Sequence, residues 1–200
     1  MQHNVKYYAS EIDKYPIKVT QANFPNTIQL GDVQDIQPHN WQQSTDMLVG
    51  GSPCQGFSFA GKQLNFADER SKLFFEFVRL RDKLKPKYFL LENVVMKKEY
   101  QDVISSYLGV QPLMLNSSLF TAQNRKRLYW TNFPIDSDIE DRQIVLQDIL
   151  EEDGIACKEM TNVNGKSHCL TATYNGAVWW NSIQRKQRTM VGCIEVGHAE

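Results

Sequence analysis

Two hundred residues, 42% of them hydrophobic, are enough for one buried core and a small second lobe but not for two full domains. Lys and Arg number 22 against 23 Asp and Glu, and the net charge of -1 excludes a polycation that holds nucleic acid by bulk charge, so any such contact must come from local patches. No stretch approaches the ~18 apolar residues of a membrane span, and the first ten residues carry no apolar leader, so a soluble intracellular protein is expected.

In chain order, Val5 to Ser10 reads as a short strand, Lys14 to Phe24 as a polar helix, and Leu30-Gly31-Asp32 as a strand end with its turn. Asp46 to Gly50 is a compact apolar run that stops at Gly50-Gly51-Ser52-Pro53, as a buried strand does where it opens into a loop. Leu73, Phe74, Phe77, Val78, Leu80 and Leu84 have helical spacing over Ser71 to Leu84, and Pro86 closes that element. Tyr88 to Leu91 is a second buried-strand candidate, ending in Glu92-Asn93-Val94. Tyr100 to Leu108 reads as helix, Met114 to Phe120 as extended chain, and Leu128 to Thr131 as a last strand. Alternating strands and helices predict an α/β layer structure with a mostly parallel sheet. Past Pro134 the composition turns acidic and then rich in Gly, Asn, Ser and Thr, which places a boundary between residues 1–134 and 135–200.

Open α/β sheets bind their ligands beyond the carboxyl ends of the strands, so the polar residues found there are the candidates for chemistry. Ser52-Pro53-Cys54-Gln55-Gly56 offers a thiol in a Gly-rich loop, either a nucleophile activated by nearby cations or a small buried hydrophobe. Glu92 either holds a proton at a dry pocket edge or caps the next helix. Arg125-Lys126-Arg127 and Arg185-Lys186-Gln187-Arg188 are either solvated basic surface or ligands for phosphate and base edges. Cys54, Cys157, Cys169 and Cys193 form no C-x-x-C pair, so spacing suggests neither zinc nor a disulfide framework. A thiol enzyme of the Cys-His type is disfavoured, because none of His3, His39, His168 and His198 adjoins a strand end of the first lobe.

Taken together, Pro53-Cys54-Gln55, Glu92-Asn93-Val94 and Gln123-x-Arg125-x-Arg127 resemble, in order and spacing, the cytosine-C5 DNA methyltransferase family of phage and bacterial type. The likeness is dense over residues 5 to 133 and includes Gly51 to Ser58, Gly61-Lys62 and Arg70 to Phe75. It implies a Rossmann-like fold that uses S-adenosylmethionine, with double-stranded DNA as substrate. By resemblance, Cys54 is the thiolate that adds to carbon 6 of a cytosine turned out of the duplex, and carbon 5 then takes the methyl group. Glu92 hydrogen-bonds the ring nitrogen and amino group, Pro53 and Asn93 shape the pocket, and Arg127 supported by Arg125 holds the base or the catalytic loop. Gln55, Ser58 and Gln123 are expected at the DNA.

The same resemblance assigns Glu11 to the ribose hydroxyls of the cofactor and Asp32, followed by Val33, to its adenine amino group, with Ile12 and Leu73 against the ring. It also implies that the family's first strand and Gly-rich turn, and its closing helix, fall outside this sequence. The expected fold is therefore incomplete, with residues 135–200 as the start of a target-recognition region in which Arg185, Lys186 and Arg188 touch DNA. Two further expectations follow: a complementing subunit, or a non-catalytic DNA-binding remnant.

Overall fold

Asp13 opens the first helix: its side chain accepts from the Tyr15 N–H at 2.9 Å, which satisfies one of the donors that a helix start leaves unpaired. In the computed structural model, residues 5–41, 44–52, 69–136, 139–152, 154–156, 161–169, 189 and 191–193 are described. Helix α1 (Lys14–Asn23) follows strand β1 (Tyr8–Ala9), and β1 pairs in parallel with β2 (Ile28–Gln29), Tyr8 against Ile28. The expected strand, helix and strand end are thus present, with shorter strands.

Strand β3 (Met47–Gly51) runs parallel to β4 (Tyr88–Val94), with helix α2 (Glu69–Leu84) between them in sequence, and α3 (Lys98–Leu108) follows. α2 buries Phe74, Phe77 and Leu80, three residues apart as one face of a helix requires, and the Phe77 ring meets Phe89 of β4 edge-on at 6.5 Å. A Cβ at Gly50 would lie 2.6 Å from Phe77 Cδ2, so only glycine lets the helix come this close to β3. Lys85, at φ 47, ends α2 with its N–H on the Arg81 carbonyl at 2.9 Å, directly before Pro86.

The strand order is β3-β4-β6-β5, with β5 at Leu113–Asn116 and β6 at Lys126–Thr131. Two compact units are present, Met1–Pro112 with Tyr129–Phe133, and Leu113–Leu128 with Pro134–Glu200. In the first, Trp130 is fully buried and its indole N–H donates to Ser105 Oγ of α3 at 2.9 Å. The Thr131 hydroxyl donates to the Phe89 carbonyl and Asn132 Oδ1 accepts from the Phe89 N–H, so the end of β6 is fastened to β4. In the second, β7 (Gly154–Ala156) and β8 (Val191–Cys193) form an antiparallel pair.

Two expectations are corrected. The stretch expected as extended chain to Phe120 stays extended only to Asn116 and then tightens into a 3-10 turn at Ser117–Leu119, because Asn116 Oδ1 captures the N–H of Ser118. The run expected to be a buried strand, β3, exposes Met47 and Val49, which share one face of the strand, while Leu48 on the other face is half-buried, so only one side of β3 is covered.

Candidate functional site

Two of the strand ends that carry candidate residues lie side by side. Gly51, the last residue of β3, is the register partner of Glu92 in β4. A Cβ at Gly51 would sit 3.4 Å from Glu92 Oε2, so the carboxylate lies against the backbone just where β3 runs out. Side chains alternate along a strand, and Asn93 therefore turns to the face that buries Phe89 and Leu91 while Glu92 stays half-buried on the other.

Asn93, only 2% exposed, acts as a clamp. Its Nδ2 donates to the Ser52 carbonyl at 3.2 Å and to Ser52 Oγ at 3.1 Å, and its Oδ1 accepts from the Val94 N–H at 2.8 Å. The first residue after β3 is thereby fixed to β4. Glu92 lies inside the strand and α3 begins only at Lys98, so the helix-capping reading of this carboxylate does not hold. Pro53, Cys54, Gln55 and Ser58 lie outside the described residues, as do Arg185, Lys186 and Arg188.

The candidate cofactor acids stand past the carboxyl ends of the parallel pair β1 and β2. Glu11 Oε1 accepts from the N–H groups of Ile12 at 2.7 Å and Asp13 at 2.9 Å, which orients the carboxylate. Beside it the Ile12 side chain is 74% exposed, an apolar surface able to cover a ring. Asp32 Oδ1 accepts from the Gln34 N–H at 2.9 Å and starts a 3-10 turn at Val33–Asp35. The Ser10 hydroxyl donates to the Gly31 carbonyl at 2.7 Å, joining the two strand ends that carry these acids. An oriented carboxylate with an oxygen to spare suits a vicinal diol, and an exposed aliphatic beside it suits an adenine ring, so the residues fit the cofactor expected by resemblance. Leu73 is half-buried on α2.

Gln123, Arg125 and Arg127 belong to the second unit, in and after a loop that is tied to itself. Asn116 Oδ1 accepts from the Arg125 N–H at 3.0 Å, Asn116 Nδ2 donates to Asn124 Oδ1 at 2.9 Å, and the Ser117 hydroxyl donates to the Gln123 carbonyl at 2.8 Å. The segment from Lys166 runs along this loop, with Gln123 and Ser167 in a parallel bridge. The Ser167 N–H donates to the Ala122 carbonyl at 2.6 Å, and the Asn124 N–H donates to the Ser167 carbonyl at 2.9 Å. Lys166 is 5% exposed, and its ammonium donates to the carbonyls of Ser118, Thr121 and Ile144.

Sequence reading missed several positioning residues. Arg79 Nη1 and Nη2 donate to the carbonyls of Ile36 and Val33 at 2.9 and 3.1 Å, holding the turn that begins at Asp32. Glu76, three residues earlier on α2, pairs with the same guanidinium. That spacing is readable, but carbonyl partners more than 40 residues away are not. Ser52, Lys166 and Cys169 carried no local signal of their partners either.

A model of the C-5 cytosine-specific DNA methylase family matches residues 2–195. Among curated proteins, the type II methyltransferase M1.ScrFI of Lactococcus lactis subsp. cremoris is 40% identical over 141 residues, which is 63% of this chain and 35% of that protein. The orphan methyltransferase M.SPRI of Bacillus phage SPR is 39% identical over 136 residues, 60% of this chain and 30% of that protein. A crystal structure of an Escherichia coli protein assigned as a prophage-encoded DNA modification methyltransferase superposes with a TM-score of 0.52 at 26% identity, covering 62% of this chain and 39% of that one. The chain thus spans about a third of the length of the curated relatives it matches.

Proposed function

Because this chain belongs to the C-5 cytosine-specific DNA methylase family and has its Rossmann-like α/β fold, we propose that it takes part in methyl transfer to carbon 5 of cytosine in double-stranded DNA. The observation that carries the proposal is the Glu92 carboxylate lying against Gly51 at the end of β3. Cys54 is three residues after Gly51 in the sequence, and two residues past Ser52 a chain can reach at most about 7 Å.

In this reading the Cys54 sulfur adds to carbon 6 of the target cytosine, carbon 5 gains the electron density that lets it take a methyl group, and loss of the carbon 5 proton then expels the sulfur and restores the double bond. Glu92 is the residue that meets the ring nitrogen and amino group, and it offsets charge as the sulfur adds. Asn93 and Pro53 shape the pocket, Asn93 also holding Ser52, and Arg127 with Arg125 holds the base or the catalytic loop. S-adenosylmethionine, held through Glu11, Ile12, Asp32, Val33 and Leu73, supplies the methyl group. Gln55, Ser58, Gln123, Arg185, Lys186 and Arg188 are the proposed DNA contacts, the last three within a target-recognition region over residues 135–200. The proposed site of action is the cytoplasm of a bacterial or phage-infected cell. A complementing polypeptide would register as an adduct yield that rises when it is added.

The test is a covalent trap. Duplex DNA carrying 5-fluorocytosine, with S-adenosylmethionine, is expected to give a protein–DNA adduct that survives denaturation, and Cys54→Ser is expected to give none. Glu92→Gln should slow adduct formation by a factor of about 10² to 10⁴, the usual worth of a positioned acid or base. An adduct in Cys54→Ser, or none with the unaltered chain both alone and with a complementing polypeptide, removes the proposal.

A further inference from the structure

The second unit holds a contact that the proposed chemistry does not use. Arg125 Nη1 donates to Cys169 Sγ at 2.9 Å, and Arg127 Nη2 lies 4.0 Å from the same sulfur. The two arginines are two residues apart, on one side of β6 and its approach, so a single acceptor can serve both. The sulfur is in turn held from behind. Ser167 is bridged to Gln123, the Lys166 ammonium is fastened to three carbonyls, and the His168 N–H donates to Thr189 Oγ1 at 2.7 Å. A guanidinium on a long side chain samples many rotamers unless an acceptor fixes it, and here the acceptor stands on a segment with five anchors of its own.

We propose that Cys169 is a positioning residue, whose sulfur fixes the guanidinium groups of Arg125 and Arg127 in the orientation they need to hold the target base or the catalytic loop. The inference rests on the methyl-transfer reading for its consequence, but not for the contact itself. Serine at this position keeps an acceptor on a slightly shorter arm, whereas alanine removes it.

The experiment has an arm that does not need activity. In full-length protein with 15N-labelled arginine, the Arg125 side-chain Nε signal, assigned through Arg125→Lys, should lose order in Cys169→Ala and keep most of it in Cys169→Ser. Unchanged order in Cys169→Ala overturns the inference. In the methyl-transfer assay, Cys169→Ala should lower kcat about tenfold, the size of one lost charge-assisted contact, with KM for DNA changed less than about twofold. The loss should be absent when Arg125→Ala is already present, because the two changes remove one interaction. Additive losses also overturn the inference. Lost arginine order in a protein whose unaltered form makes no 5-fluorocytosine adduct keeps the contact and removes the methyl-transfer reading instead.

Discussion

His168 is the residue whose surroundings make the clearest demand on pH. Its Nε2 is buried with no hydrogen-bond partner among the described residues, while Nδ1 lies 3.4 Å from Asn162 Nδ2, an arrangement that suits the neutral ring with Nδ1 accepting. Burial disfavours the charged imidazolium and lowers the pKa from its ordinary 6.5. In the unfolded chain the ring returns to that ordinary value, so between the lowered value and 6.5 the unfolded state binds more protons than the folded one. Stability from this residue is therefore complete above about 6.5 and declines as the pH falls below it. Thermal melts at pH 7.5 and 5.5 should show a drop on acidification that is smaller in His168→Asn, a side chain with no titration in this range. An equal drop in the variant would assign the acid sensitivity to other groups.

At the scale of elements, the segment Lys166–Cys169 acts as a splint for the loop that carries Gln123 and Arg125. Its firmest fixing is the Lys166 ammonium, which joins the 3-10 turn at Ser117–Leu119, the loop after it and Ile144 through three carbonyls. Lys166→Met keeps the length and removes every donor, leaving those carbonyls without their partner. Loss of such a buried network should cost about 2–4 kcal/mol, seen as a lower urea midpoint with little change in slope. The strands and helices of this fold were legible because period and punctuation are local: the 3.6-residue spacing of Phe74, Phe77 and Leu80 and the stop at Lys85-Pro86 suffice for α2. The turn at Ser117–Leu119 was not legible, because Asn116 decides it by reaching both Ser118 and Arg125. Site residues followed the same division. Glu92 and Asn93 could be picked out as polar residues closing an apolar run, and Glu11 and Asp32 through the family resemblance, but Ser52, Arg79, Lys166 and Cys169 owe their roles to partners 22 to 48 residues away.

For the whole molecule, the even balance of charge means that the proposed affinity for DNA must be local and must show this in its response to salt. With a net charge of -1 there is no overall attraction to a duplex, and each phosphate contact has to come from a named cation. The two basic clusters, Arg125-Lys126-Arg127 and Arg185-Lys186-Gln187-Arg188, differ in proposed role: Arg125 and Arg127 of the first are proposed to hold the base or the catalytic loop, the second to lie in the proposed recognition region. Each phosphate neutralised contributes about -0.9 to the slope of log K against log salt on a duplex. Replacing Arg185, Lys186 and Arg188 with Gln should therefore reduce the steepness of that slope by about 2 to 3, while adduct formation at saturating DNA stays close to that of the unaltered chain. A slope that does not move takes these three residues off the DNA. A slope that moves together with a loss of adduct at saturation would mean that the second cluster, too, belongs to the reacting base and not to the flanking phosphates.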